Sequence, residues 1–286
     1  GVRYLSEKYG GKEFAMHVKG LELPSYEPRG AVGQGLSYAV DSRGGCHLAG
    51  GYAVYLEAAG PVTVDPLTSR GKPGLVALTQ TILEGVSTLG CCIFTVHLLF
   101  PKELLRLNSR SRFVAGCLSF GLLHSGNLAG KALSLPTGTF RFLPLATSFP
   151  QLRAQACCTG SEFSFGHLLK LGSRVINIDR LFNLREGFTW QDDTLPDRLI
   201  RERQRYEEPR TRVDLDRMLP EYYRIRGWDL QGVPLEKTLR RLSIHQEPFP
   251  PIGETGKDAC VTAGWQTAGP AGMAGPGSEY VHKPQL

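Results

Sequence analysis

Two short stretches hold residue types at spacings that could do chemistry. The first is Asp41-Ser42-Arg43-Gly44-Gly45-Cys46-His47-Leu48. Paired glycines between an arginine and a histidine suit main-chain contact with an anionic ligand, with Arg43 neutralising charge and His47 exchanging protons. The same string also fits a turn with a helix-capping histidine, and both readings stay open. The second stretch is Ser87-Thr88-Leu89-Gly90-Cys91-Cys92-Ile93-Phe94. A thiolate there could ligate a metal or an iron–sulfur cluster. Buried free cysteines acting as small apolar residues are as common. One thiol cannot hold a cluster, so any metal role needs ligands from elsewhere.

Other signatures fail. Gly126-Asn127-Leu128-Ala129-Gly130-Lys131-Ala132 has the wrong spacing for a phosphate loop and lacks its hydroxyl residue. Gly30-Ala31-Val32-Gly33-Gln34-Gly35 has its glycines in the wrong order for a dinucleotide fingerprint. No pair of CxxC motifs is present, which speaks against a self-contained structural zinc site.

The elements that must position these residues read as mainly helical. Small residues Gly33, Gly35, Ser37 and Ala39 lead into the first stretch and would permit a close backbone approach. Residues 75–100 read as a long helical stretch broken near Gly90. Residues 101–155 lack sustained periodicity and read as an insertion. From Ser161, the residues Leu168, Leu169, Val175, Ile176, Ile178, Leu181, Phe182 and Leu184 recur at helical spacing, with Lys170, Arg174 and Arg180 elsewhere on the wheel. Gly187 is a plausible stop. A further helix is expected over 213–226, with Pro220 starting a fresh turn and Gly227 as its cap. A basic amphipathic one follows over 235–242. After Pro248 the chain is rich in Pro, Gly and Ala, a composition that favours disorder.

Composition sets limits. The 286 residues are 41% hydrophobic and 21% charged, which is ordinary for a globular chain. The formal net charge of +6 could steer an acidic partner. However, Arg201, Arg203, Arg205, Arg210 and Arg212 alternate with Glu202, Glu207 and Glu208, which reads as a solvated, salt-bridged helical face. No nucleic-acid partner is expected. The longest apolar run, about residues 86–100, is short for a membrane span and carries His97. Seven cysteines, with Cys91-Cys92 and Cys157-Cys158 adjacent, suggest no disulfide framework and point to a reducing, cytoplasmic setting.

Taken in order, these segments resemble the aldehyde:ferredoxin oxidoreductase family. The resemblance begins at Gly10-Gly11-Lys12-Glu13-Phe14-Ala15-Met16-His17-Val18-Lys19-Gly20-Leu21-Glu22 and passes through Pro28-Arg29-Gly30, residues 33–39 and Arg43-Gly44-Gly45-Cys46-His47. It resumes at Leu89-Gly90-Cys91-Cys92 and at Arg180-Leu181-Phe182-Asn183-Leu184-Arg185-Glu186-Gly187. It ends with Asp192-Asp193-Thr194-Leu195-Pro196 and residues 221–229. The resemblance implies a mainly α fold, namely the helical carboxy-terminal domains of that family. It divides the chain into a helical domain over 1–100, the insertion over 101–155, a helical region over 156–247 and a tail over 248–286.

By the same resemblance, the activity is oxidation of an aldehyde to a carboxylic acid at a tungsten or molybdenum bis-pterin. Electrons pass through a 4Fe-4S cluster to ferredoxin or a similar redox protein. His47 matches a proton-moving histidine near the metal. Arg43, Ala49, Gly50, Val86, Ser87, Cys91, Cys92 and Ile93 fall at cofactor-contacting positions, Cys92 as the fourth cluster ligand. Ser87 replaces a common family aspartate, which removes a charge-assisted hydrogen bond, and Ala49 replaces a basic residue. The family's amino-terminal sheet domain and three-cysteine motif are not in this chain. It therefore reads as a carboxy-terminal portion, inactive alone and completed by an amino-terminal half, with homo-oligomerisation possible. Two other readings are the active-site subunit of a ring-reducing acyl-CoA reductase of the same family and a catalytically inactive helical module.

Overall fold

The computed structural model describes residues 1–50, 53–59, 64–95, 150–161 and 163–244. Positions 101–149 of the expected insertion, and the tail expected from 248, lie outside the described residues. Helix predominates. The elements are α1 (Val2–Tyr9), a two-stranded hairpin β1 (His17–Val18) and β2 (Leu21–Glu22), α2 (Val32–Val40), α3 (Lys72–Thr88) and α4 (Pro150–Thr159). Next come α5 (Phe165–Arg185), α6 (Asp197–Arg201), α7 (Leu215–Arg226) and α8 (Glu236–Arg241). The described residues, all within 1–244, fall in one compact unit. Helix α4 runs through position 155, where the sequence reading places a boundary.

The core is built where α3 and α5 lie along each other, with α2 and α7 against α3. Two glycines set that approach. A Cβ on Gly172 would collide with the Thr81 carbonyl, and one on Gly85 would sit 2.8 Å from Leu168 Cδ1. Main chain therefore packs directly on main chain. Gly172→Ala is expected to push the helices apart and cost about 1–3 kcal/mol or more in urea unfolding. A stability unchanged within error would mean that the helices are free to shift.

Every residue of α2 is buried. Its small residues accommodate protein rather than ligand: a Cβ on Gly33 would lie 2.8 Å from Glu57 Oε1, and one on Gly35 2.7 Å from Val213 Cγ2. A buried helix start leaves unbonded N–H groups. Glu57 accepts those of Gly33 and Gln34 at 2.8 and 2.9 Å and pairs with buried Lys72. The carboxylate thus also meets the positive end of the α2 dipole.

Helix α5 begins with a capping box between Ser164 and His167 and ends before Gly187, whose φ is +91°. Its second half departs from the apolar stripe read in the sequence. Ile178 and Phe182 are 48% and 52% exposed, while Asn177 and Arg180 are buried. The inversion has a physical cause, because each inward polar group is bonded. Asn177 Oδ1 accepts the Trp228 indole N–H at 2.9 Å, and Arg180 is held by a carboxylate described below.

Two other expectations change. Pro220 lies inside α7 rather than starting a new turn. It is tolerated because Pro220 and Asp216, whose carbonyl loses its partner, are both exposed and water replaces the bond. Residues 202–212 are turns instead of a helical face. Thr211 organises them by accepting the Arg205 N–H at 3.0 Å and donating to the Glu208 carbonyl at 2.7 Å. Of the ion pairs expected within this segment, Arg210–Glu208 forms at 3.0 Å, and Arg210 also reaches Asp65 at 3.0 Å. No described helix is long and apolar enough to cross a membrane.

Candidate functional site

The loop after α2 carries the first chemical stretch and rests on the β1–β2 hairpin. The hairpin turn is Lys19-Gly20, both with positive φ (51° and 88°), the left-handed pair that a two-residue turn requires. Lys19 is not a glycine, and its side chain offsets that conformation. Its ammonium donates to the carbonyls of Ala39 and Asp41 at 2.6 and 3.1 Å and pairs with Asp193 at 2.9 Å, all out of solvent. Asp193 also binds Arg180 at 2.9 Å and accepts the Tyr223 hydroxyl. One buried carboxylate therefore ties the hairpin, α5, α7 and the end of α2 together.

Gly44 and Gly45 are explained by this support. A Cβ on Gly44 would collide with the Val18 carbonyl, and one on Gly45 would come within 2.9 Å of the Leu21 carbonyl. The sequence left these glycines open between an anionic ligand and a turn; the close approach they permit is to the hairpin. The loop is pinned further by the Arg43 N–H donating to Asp41 Oδ1 at 2.7 Å and by Ser37 donating to the Gly50 carbonyl.

With the loop so held, the Arg43 side chain is exposed while Ala49 and Gly50 are buried. His47 is half-buried and tilted against Tyr26, ring centroids 5.2 Å apart. Burial holds the imidazole below its ordinary titration range. The neutral form, able to accept a proton, is thus favoured at neutral pH.

The second stretch follows the last turn of α3. Val86 is fully buried and its carbonyl accepts the Leu89 and Cys91 N–H groups; Ser87 is exposed. Gly90, with φ of +74°, ends the helix and turns the chain outward. Cys91 is half-buried, its N–H donating to the Val86 carbonyl at 3.4 Å, and Ile93 is half-buried as well. Cys92 is exposed, and Thr95 fixes its carbonyl at 2.6 Å. Gln151 of α4 donates to Thr95 at 2.9 Å and steadies this turn.

The first stretch backs onto a small cavity lined by Asp41, Ser42 and Ala49 from the loop and by Gln80 and Glu84 from α3, the helix that leads into the second stretch. The Arg43 charge acts on Glu84, one turn before Ser87. No described contact joins His47 to Cys92. Among the described residues no three His, Cys, Asp or Glu side chains converge as a metal site, so a metal at Cys92 needs ligands from outside them.

The comparisons with known proteins decide the family. A family model described as aldehyde ferredoxin oxidoreductase, domains 2 and 3, matches residues 1–244. This chain belongs to the aldehyde ferredoxin oxidoreductase family. The tungsten-containing aldehyde ferredoxin oxidoreductase of Pyrococcus furiosus is 34% identical over 255 residues, covering 85% of this chain and 33% of that protein. Those of Pyrococcus horikoshii and Thermococcus kodakarensis are 33% and 34% identical, with 33% and 32% of their lengths covered. The chain thus spans about a third of the length of the curated relatives it matches, and corresponds to the carboxy-terminal part of an oxidoreductase of this family.

Proposed function

We propose that this chain forms one wall of the active site of an enzyme that oxidises an aldehyde to a carboxylic acid. The observation that carries the reading is the half-buried, neutral His47, set beside exposed Arg43 on a loop held by the hairpin. Arg43, Ser87 and Cys92 all present polar or ionisable side chains at the surface. They fit the outer face of a bis-pterin and one corner of a cluster. Ala49, Gly50, Val86, Cys91 and Ile93 would add main-chain or packing contacts. When bound, a tungsten or molybdenum bis-pterin supplies the two-electron redox chemistry, and a 4Fe-4S cluster relays single electrons to ferredoxin in a cytoplasmic setting.

This chain's own residues have narrower tasks. His47 accepts the proton lost as water adds to the aldehyde and the hydrate is oxidised. Arg43 balances anionic phosphate or carboxylate. Cys92 donates one thiolate, and its exposure leaves room for the rest of the cluster. The remaining three thiolates and the second pterin wall come from an amino-terminal half. Ser87 offers one hydroxyl where a carboxylate would bind a pterin amine more firmly.

Cys92→Ser tests the cluster role. In protein purified together with its amino-terminal half, iron content is expected to fall and the visible absorbance of the cluster to bleach, with the helical circular dichroism unchanged. Full iron content in the serine variant would remove Cys92 as a ligand.

A further inference from the structure

The cavity behind the 41–50 loop contains chemistry that the proposed reaction has not used. Its volume is about 20 Å³, room for roughly one water. Three carboxylates line it: Asp41 from the loop, Glu84 from α3 and Asp179 from α5. Glu84 is only 8% exposed, and its carboxylate makes no hydrogen bond or ion pair with any described residue. Asp41 is held by the Arg43 N–H at 2.7 Å, and Asp179 accepts from the Ser42 hydroxyl at 3.3 Å.

The cations around the cavity leave this acid cluster undercompensated. Lys19 is committed to Asp193 and two carbonyls, and Arg180 to Asp193 and the Gly232 carbonyl. Arg226 of α7 is bound to Gln80, Thr81 and the Tyr222 hydroxyl. Exposed Arg43 acts at a distance on all three acids, Lys19 also on Asp41 and Arg226 also on Glu84, and burial outweighs them in each case. Burial pushes the three carboxyls up, Asp41 to about 7, and repulsion between Glu84 and each of the other two adds to it. Burial and mutual repulsion both disfavour ionising all three together. The described residues hold no metal-binding convergence, which favours a proton over a divalent cation as the occupant.

We propose that Asp41, Glu84 and Asp179, with one water in the cavity, form a shared proton store that accepts a proton released at the His47 loop and returns it to solvent. This rests on the reading of that loop as the wall of an aldehyde-oxidising site. Conversion of an aldehyde and water to a carboxylic acid releases two protons with the two electrons that leave for the redox partner. His47 can take one proton at a time. Ala49 lines the cavity wall two residues from His47, so the store lies directly behind the loop.

The test has two arms. In infrared spectra of the purified protein, a protonated-carboxyl band is expected at neutral pH, fading with a midpoint near 7. Glu84→Gln removes one of the repelling charges and is expected to lower that midpoint by about one unit, with Glu84→Asp restoring it. Absence of the band, or a band indifferent to Glu84→Gln, would overturn the store. In the cofactor-loaded enzyme, Glu84→Gln is expected to slow turnover about tenfold with KM little changed, a modest share of acid–base assistance. Unaltered turnover with the band shifted as expected would overturn its connection to the loop. Failure of the enzyme to oxidise any aldehyde would instead refute the functional reading, and leave the infrared result standing.

Discussion

Replacement of His47 by alanine is expected to lower aldehyde turnover about 10²–10⁴-fold, the usual loss when a positioned acid–base group is removed. The effect should fall on kcat, because the imidazole acts on the reacting water and hydrate more than on substrate affinity. Burial lowers the titration of His47, so the group stays neutral at pH values where an exposed histidine is already charged. The acidic limb of the rate profile is therefore expected below 6.5, the ordinary value for the side chain. His47→Ala should abolish that limb. Steady-state rates with an artificial one-electron acceptor check both points, and undiminished turnover would end the proton-transfer role.

The largest effect on stability is expected at Asp193. It is the counter-charge for both Lys19 and Arg180, and all three side chains are out of solvent. Removing one partner of a buried ion pair leaves the other charge uncompensated, at about 3–5 kcal/mol. Asp193→Asn keeps the shape and loses the charge, so it should cost about that much in urea unfolding. Loss of the Lys19 anchor should also loosen the 41–50 loop, and amide exchange at Arg43 and Gly44 should accelerate. A stability change near zero would show that water, or another acid, replaces the carboxylate.

Neither Asp193 nor Arg180 stood out in the sequence as a structural hub, although both lie in motifs that carry the family resemblance. The reason is physical. Helical periodicity marks faces by hydrophobicity, and α5 switches midway from burying Leu168 and Leu169 to burying Asn177 and Arg180. A buried arginine looks like a surface arginine until its carboxylate is found 13 residues away in sequence. The cluster of Asp41, Glu84 and Asp179 was hidden for the same reason, since it forms only when three separate elements meet. Asp41 did stand at the head of the first motif, but nothing there told a buried acid from a solvated one.

Backbone signals were more legible. Gly90, Gly187 and Gly227 all adopt positive φ where helices were expected to stop. The end of α3 beside Cys91 and Cys92 follows directly from the first of these. Where glycines announced a close approach, the structure supplies protein neighbours: the hairpin behind Gly44 and Gly45, and Glu57 and Val213 beside α2. Small residues announce a close approach and do not say to what.

The central claim is that this chain supplies one wall of a tungsten- or molybdenum-pterin site and one thiolate of a cluster. Metal and iron analysis of the purified chain, alone and co-expressed with an amino-terminal half of the family, tests it most directly. Tungsten or molybdenum together with iron is expected in the pair, and neither in the chain alone. Stoichiometric metal in the isolated chain, or none in the pair, would contradict it.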